Sequence, residues 1–417
     1  MFTAAQSIIA ANHPGSPDPG VVLVADVLLW PNRPAIPCPA AVLLEGELQR
    51  RGARTKRGHL HVDAEDREAV TLRTVLPGIG GLGAAVSLPT GRVTEAVCGA
   101  MAACLAVAGP ARRVLLAAPR SFCAGVERAI ELVERLLSER GGPVYVRKPV
   151  VHNAHVAAEL RSRGVVFVEE LTEVPHGATV VFSSHGVSPA VRVAARRRGL
   201  EVIDATCPLV ERLHAEARRA AEEGGTVIVV GHAGNEEVDG ILGEAPGRIA
   251  LVQSVEEARH VPVADPSRVS YVIQTTLSVH ETAEVVDALR ARFPMLKGPS
   301  SEDVCYATTN RQNAVRVIAV ESELVLVVGS KSSPNAHQLV EIARRSGSAA
   351  HLVEDPRDIQ PHWLTEVRTI GVTAGASTPP PLVNSVIRAL GGLGPVTVEK
   401  RESVRETSGS PQPSAVG

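Results

Sequence analysis

Cys123, Cys207 and Cys305 are the residues of this chain best suited to chemistry. Cys123 ends VLLAAPRSFC, just past the apolar run 114–118, and Cys207 ends EVIDATC after the run 202–205. Cys305 closes KGPSSEDVC, which follows a helix-like stretch ending at Phe293. Thiols arriving from three successive α/β segments can converge on one point, where three thiolates would hold a soft metal or an iron–sulfur cluster. Three ligands rather than four leave a coordination position open, which catalysis requires and a structural site avoids. A single free cysteine is more often a small buried hydrophobe. The neighbourhoods SFCAGVERA, DATCPLV and DVCYATTNRQ, however, carry polar and turn-forming residues. Cys38 in the Pro-rich AIPCPA, and Cys98 and Cys104 in AVCGAMAACLAVAG, fit the plain packing role.

The elements that must position these thiols follow a regular rhythm from about residue 113 onward. Apolar β-like runs at 114–118, 165–169, 179–184, 226–231, 271–276, 324–329 and 369–375 alternate with stretches such as GVERAIELVERLLSER and ETAEVVDALRARF. The latter have the 3.6-residue periodicity of surface helices, so the pattern reads as βαβ units with parallel sheets. The runs end in SSHGVS, GHAGNEE, QTTLSVH, GSKSSPN and TAGAS. Ligands of open α/β sheets bind beyond the carboxyl ends of strands, so these ends and the cysteine loops point to one shared site. Its donors, His185, His232, Ser183, Ser184, Thr275, Thr276, Ser332, Ser333, Asn335 and Ser377, suit a small anion such as a diphosphate. Glu237 is the carboxylate to single out. Buried near a cluster, it would have a raised pKa and could donate a proton; solvated, it would simply open a helix. His152 and His155, three apart in VVHNAHV, could share a helix face and bind zinc.

Composition narrows the classes. The chain has 417 residues, enough for two to four domains, and 44% are hydrophobic, enough for several cores. Aromatic residues make up only 2%, which argues against base-stacking nucleic-acid binding, and a net charge of −2 lacks the footprint for duplex or membrane-surface binding. Six cysteines are too few for a secreted disulfide scaffold, and MFTAAQSIIAANHPG lacks the features of a signal peptide, so a cytoplasmic protein is expected. The apolar stretch 96–109 is too short to span a bilayer. Gly78, Gly80 and Gly83 match a dinucleotide fingerprint, but no helix-like stretch follows and no acidic residue lies about 20 positions on. Residues 1–110, broken by NHPGSPDPG and WPNRPAIPCP, read as a separate small domain or a partly ordered extension of unknown role. Residues 396–417, ending in RESVRETSGSPQPSAVG, read as a disordered tail.

In order, PRSFCAGVERA, VVHNAHV, FSSHGVS, DATCPLV, GHAGNEEVDG, QTTLSV, DVCYATTNRQ, VVGSKSSPN and GVTAGAS resemble the 4-hydroxy-3-methylbut-2-enyl diphosphate reductases over about residues 113–392. The resemblance implies an α/β fold of three similar domains with mainly parallel sheets (about 111–206, 207–303 and 304–395), arranged as a cloverleaf. At its centre would lie one 4Fe-4S cluster with three cysteine ligands, Cys123, Cys207 and Cys305, and one open iron. It further implies Glu237 as proton donor relayed by Thr275, and a diphosphate pocket of His152, His185, Asn235, Thr276, Ser333, Asn335 and Ser377. A ferredoxin or flavodoxin type donor would supply electrons, with no nucleic-acid or membrane partner. Two positions depart from the family pattern. Asn235-Glu236-Glu237 stands where a third pocket histidine precedes Pro-Glu, and Pro334 replaces a serine or glycine. Two alternatives therefore stay open: a paralogous iron–sulfur reductase with another substrate, and a non-catalytic iron–sulfur sensor.

Overall fold

The computed structural model describes residues 20–62, 69–87, 89–141, 143–277, 279–299 and 305–404. An N-terminal unit comprises β1 (Val21–Leu29), β2 (Ile36–Pro37), α1 (Ala41–Arg50), β3 (Arg54–His61), β4 (Ala69–Leu76), β5 (Gly80–Ser87) and α2 (Gly91–Ala106). Its mixed sheet runs β2-β1-β5-β4, with β3 parallel to β1. After β6 (Arg112–Ala118) the chain enters α3 (Ala124–Arg140), β7 (Val144–Arg147), α4 (Ala154–Ser162), β8 (Val165–Val168), β9 (Thr179–Phe182), α5 (Pro189–Arg197) and β10 (Glu201–Asp204). These four strands form a parallel sheet of order β10-β9-β7-β8.

The next unit holds α6 (Pro208–Glu222), β11 (Thr226–Val230), α7 (Glu236–Leu242), β12 (Ile249–Val252), α8 (Val255–His260), β13 (Val269–Ile273) and α9 (Val279–Arg292) around a parallel sheet β12-β11-β13. The last holds α10 (Tyr306–Ala319), β14 (Leu324–Val328), α11 (Pro334–Arg345), β15 (Ala349–Val353), β16 (Thr369–Ala374), α12 (Pro380–Gly391) and β17 (Val396–Glu402). Its parallel sheet has the order β15-β14-β16-β6-β17. The fold is thus α/β with mainly parallel sheets. Among the described residues no helix is long and apolar enough to cross a membrane.

The near-continuous apolar runs have a direct cause: both faces of the last sheet are covered, so its strands need not alternate with polar residues. Along β6, Val114 and Leu116 enter one core while Leu115 and Ala117 enter the other; along β14, Leu324, Leu326 and Val328 oppose Val325 and Val327. α10 and α11 cover the second face, with Ile318, Leu339 and Val340 among the packed residues. α12 covers the first face, together with the N-terminal unit.

Three expectations from chain order are corrected by this packing. Residues 1–110 were expected to form a separate or partly ordered piece. Instead Leu28, Leu43, Leu44 and Leu48 share one core with Ile370, Val383 and Leu390. β6, grouped by sequence with residues 111–206, lies between β16 and β17 in the C-terminal sheet. The tail expected at 396–417 begins with β17, paired to β6 from Val396 to Glu402. VTVEKRE is polar because β17 is an edge strand whose charges face water and blunt the edge, and Glu399 accepts from Arg113 at 2.7 Å.

The seam between the N-terminal unit and the last unit is close. A Cβ built on Gly46 of α1 would lie 2.0 Å from the carbonyl oxygen of Arg357. Gly46→Ala is therefore expected to cost about 1–3 kcal/mol, the usual scale of overpacking, read as a lower urea midpoint. Gly91→Ala, with nothing within 4 Å of the added carbon, serves as the control. Equal midpoints in the two variants would show that the seam yields freely.

Candidate active site

Each of the three singled-out cysteines is the N-cap of a helix: Cys123 of α3, Cys207 of α6 and Cys305 of α10. Helix N-termini carry partial positive charge, which favours a thiolate. All three line one cleft of about 730 Å³, counting its open mouth. The helices meet closely enough that a Cβ on Gly125 would stand 2.7 Å from Cys207 Sγ. Backbone bonds tie the cysteine loops to neighbouring units: Cys123 N–H donates to Ala376 O at 3.1 Å and Cys207 N–H to Ser184 O at 3.0 Å.

The thiols are half-buried, and burial raises two of them, Cys207 and Cys305. It pushes Cys207 up to about 11, and charge on Cys305 and Cys123 would push the same way against the N–H groups of Leu209 and Val210. Cys305 is raised as well, first by burial and then by Cys123, with Glu237 adding to the rise. Bare thiolates at Cys207 and Cys305 are thus disfavoured. Among the described residues no three His, Cys, Asp or Glu side chains stand close enough to hold a single ion. A tetrahedral ion with metal–sulfur bonds of about 2.3 Å would draw the sulfurs within roughly 4 Å of one another. Three thiols lining one cleft are a donor set that fits an iron–sulfur cluster.

Eleven of the twelve expected site residues line this cleft: the three cysteines, His152, His185, Glu237, Thr275, Thr276, Ser333, Asn335 and Ser377. Glu237 is 3% exposed. Thr275 donates to it twice, from its backbone N–H at 2.7 Å and its hydroxyl at 2.6 Å. Burial still holds the Glu237 carboxyl above the ordinary range, against the pull of the Thr275 hydrogen bonds, His185 and His214. The rings of His152 and His185 lie 4.2 Å apart. Burial pushes His152 down to about 4, with His185 and Lys148 acting the same way and Glu236 opposing. Ser377 donates to His152 O at 3.0 Å, and Asn335 Oδ1 accepts from Ala376 N–H at 3.2 Å. Ser333 caps α11.

Asn235 is the exception. It caps α7, where its Oδ1 accepts from the N–H groups of Glu237 and Val238, and it does not line the cleft. The short amide satisfies the helix end that carries the acid, a role the expected place in the ligand pocket did not include. Pro334 does line the cleft and brings neither hydroxyl nor N–H. His155 turns away, with Nε2 2.9 Å from Glu354 O, so it forms no pair with His152. His232 is exposed.

Arg311 is a positioning residue that the motifs did not single out. It is fully buried in α10, the helix that Cys305 caps. Its guanidinium donates to Ser121 O at 2.8 and 3.0 Å, to Phe122 O at 2.9 Å and to Ala307 O at 2.9 Å. One helix thereby clamps both Cys305 and the loop before Cys123. A signal was present: Thr308, Arg311, Val315 and Ile318 share the buried stripe of α10, so the arginine occupies a core position.

Comparison with known proteins agrees with this geometry. The LytB protein family model matches residues 114–391. The 4-hydroxy-3-methylbut-2-enyl diphosphate reductase 2 of Mycobacterium bovis is 58% identical over 298 residues, 70% of this chain and 91% of that protein. The solved E-1-hydroxy-2-methyl-but-2-enyl-4-diphosphate reductase of Plasmodium falciparum superposes with a TM-score of 0.69 at 35% identity, covering 73% of this chain and 96% of that one. A solved (E)-4-hydroxy-3-methyl-but-2-enyl diphosphate reductase, described as the terminal enzyme of the non-mevalonate pathway, gives 0.50 at 32% identity over 67% and 99%.

Arg311→Met should strip the Cys123 loop of its clamp. Each buried carbonyl left without a partner costs about 1–3 kcal/mol, so both the urea midpoint and the iron and acid-labile sulfide content per chain should fall. Arg311→Lys, which keeps charge but not the planar fork, should restore only part. Undiminished iron and sulfide in Arg311→Met would remove its positioning role.

Proposed function

The chain belongs to the LytB family, and from that premise we infer that it is a 4-hydroxy-3-methylbut-2-enyl diphosphate reductase, the terminal enzyme of the non-mevalonate pathway. The reaction replaces an allylic C–OH bond by C–H: two electrons and two protons enter and one water leaves. Protonation at either end of the allylic system gives isopentenyl or dimethylallyl diphosphate. One observation carries the reading at the level of residues. His152 Nε2 and Asn335 Nδ2 are buried without partners, and both residues line the cleft that holds the thiols. Buried polar atoms left unpaired are costly, so this wall is built for an acceptor-rich ligand.

A 4Fe-4S cluster on Cys123, Cys207 and Cys305, with one iron open, would supply the electrons and a Lewis-acidic position for the substrate hydroxyl when bound. The chain's own residues do the rest. His152, His185, Thr276, Ser333, Asn335 and Ser377 hold the diphosphate and so fix where the hydroxyl lies. Glu237 stores the proton: burial keeps its carboxyl protonated to higher pH than a solvated one. The Thr275 hydroxyl, 2.6 Å from Glu237 Oε2, passes that proton toward the departing oxygen. Hydroxide is a poor leaving group, so this delivery determines whether the bond breaks. A ferredoxin or flavodoxin type protein would bring the electrons one at a time.

Because the carboxyl must be protonated, activity is expected to fall as pH rises through its raised pKa, not as pH falls. Glu237→Gln keeps the shape but stores no acidic proton. Its kcat should drop by roughly 100-fold or more, the scale of general acid catalysis, and its alkaline limb should vanish while substrate still binds. An unaltered kcat with dithionite-reduced dye as donor would remove Glu237 from the mechanism. Cys→Ser at 123, 207 or 305 should abolish turnover and cluster content, whereas Cys38→Ser and Cys104→Ser should spare both; an active Cys207→Ser enzyme would break the ligand assignment.

A further inference from the structure

Behind the cleft wall lies a row of charges that the reaction, as derived so far, does not use. His185 lines the cleft, whereas Glu236 and Lys148 do not. Glu236 Oε2 stands 3.3 Å from His185 Nδ1, and Lys148 Nζ stands 3.7 Å from Glu236 Oε1. The side chains of Lys148 and Glu236 are 26% and 16% exposed, so solvent screens the row only in part. Lys148 also holds a left-handed backbone with φ 59°, a conformation that non-glycine residues seldom adopt away from functional positions. Its N–H bonds Val168 O at 2.7 Å, which fixes that geometry.

We propose that Glu236, held by Lys148, is a positioning residue that orients His185 and makes it grip the substrate's diphosphate only as a doubly protonated ring. The proposal rests on the diphosphate reading above and deepens it. A carboxylate can only accept, and a lone pair on Nδ1 facing it would be repelled, so the Nδ1 proton points at Glu236. The neutral ring would then present Nε2 to the cleft as an acceptor, which a phosphate oxygen rejects. Protonation at Nε2 turns the same ring into a charged donor, and Glu236 stabilises that form. Other groups also face His185: the Ser183 hydroxyl, 3.3 Å from Nδ1, can accept as readily as donate, burial holds the Glu237 carboxyl above its ordinary range, and the His152 ring lies 4.2 Å away, tilted by 35°. The row also bears on the capping role of Asn235: the charged ring it leaves out of the pocket is made up for by a histidine whose charge is set from behind.

The test uses full-length, cluster-loaded protein, with inorganic diphosphate binding by calorimetry and KM for the allylic diphosphate, each between pH 6.5 and 8.5. Wild type should lose affinity as pH rises. Glu236→Gln should flatten that loss by roughly tenfold across the range, about the worth of one charge-assisted hydrogen bond. The effect should appear in KM rather than kcat, and Glu236→Asp should recover part of the slope. Lys148→Met, which removes the ammonium beside Glu236 but leaves its contact with His185, should shift the same profile without abolishing it. Identical pH profiles in wild type and Glu236→Gln, or a loss confined to kcat, would overturn the proposal. Wild type that neither binds diphosphate nor turns over the allylic substrate would instead overturn the functional reading on which it rests.

Discussion

The structure depends on one electrostatic constraint: three thiols at three helix N-termini face a single buried cleft that cannot hold three bare thiolates. Burial and neighbouring charge raise Cys207 and Cys305, and a cationic centre would reverse that balance. Helix dipoles help, but each acts on its own sulfur, whereas a shared cation acts on all three at once. The folding of the chain therefore serves to bring helix starts from three separate sheets to one point and keep them there. Arg311 shows how rigidly this is done, since its guanidinium fastens the loop of one cysteine to the helix of another. Such a buried fork, donating to three carbonyls, is a device for geometry more than for net stability.

Around that centre the chemistry is divided by burial. The acid, Glu237, is 3% exposed and accepts two hydrogen bonds from Thr275. The anion side is lined by Ser, Thr and Asn side chains and two imidazoles tilted 35° to each other, and His152 Nε2 and Asn335 Nδ2 there lack partners. Charge enters this side only indirectly, through Glu236 and Lys148 behind the ring of His185. A proton reservoir and an anion grip can then share one small space, because burial holds the Glu237 carboxyl above its ordinary range while Glu236 and Lys148 act on His185 from behind.

The N-terminal unit takes part in this arrangement through packing. It shares a core with the sheet whose loops carry Cys123, Ser333, Asn335 and Ser377. α1 approaches the segment around Arg357 so closely that only glycine fits at position 46. The last sheet is thus buried on both faces, one by its own α10 and α11 and the other by α12 with this unit. A loop network that must hold donors to within a fraction of an ångström gains from a sheet that cannot flex toward solvent.

By itself the sequence determined the chemistry-bearing residues and the class of fold. Cysteines, Ser/Thr/Asn clusters and Glu237 follow apolar runs, and the carboxyl ends of parallel strands are where such residues must meet. That inference needs only local pattern and a general property of α/β sheets. Tertiary structure alone decided the rest, because it turned on relations between distant segments. β6 precedes its own sheet by some two hundred residues, and nothing in its apolar run says whether its partners come before or after it. The polar β17 reads as tail because a solvent-facing edge strand and a disordered segment share a composition. Asn235 was read into the pocket by its position in a motif, yet a short amide one residue before a helix is equally a cap, and the orphan N–H groups of α7 claimed it. Arg311 and Lys148 were invisible, and Glu236 showed only as a departure from a motif, for the opposite reason: a charged residue on a helix or turn is ordinarily solvated, and only the neighbours brought by folding give it work.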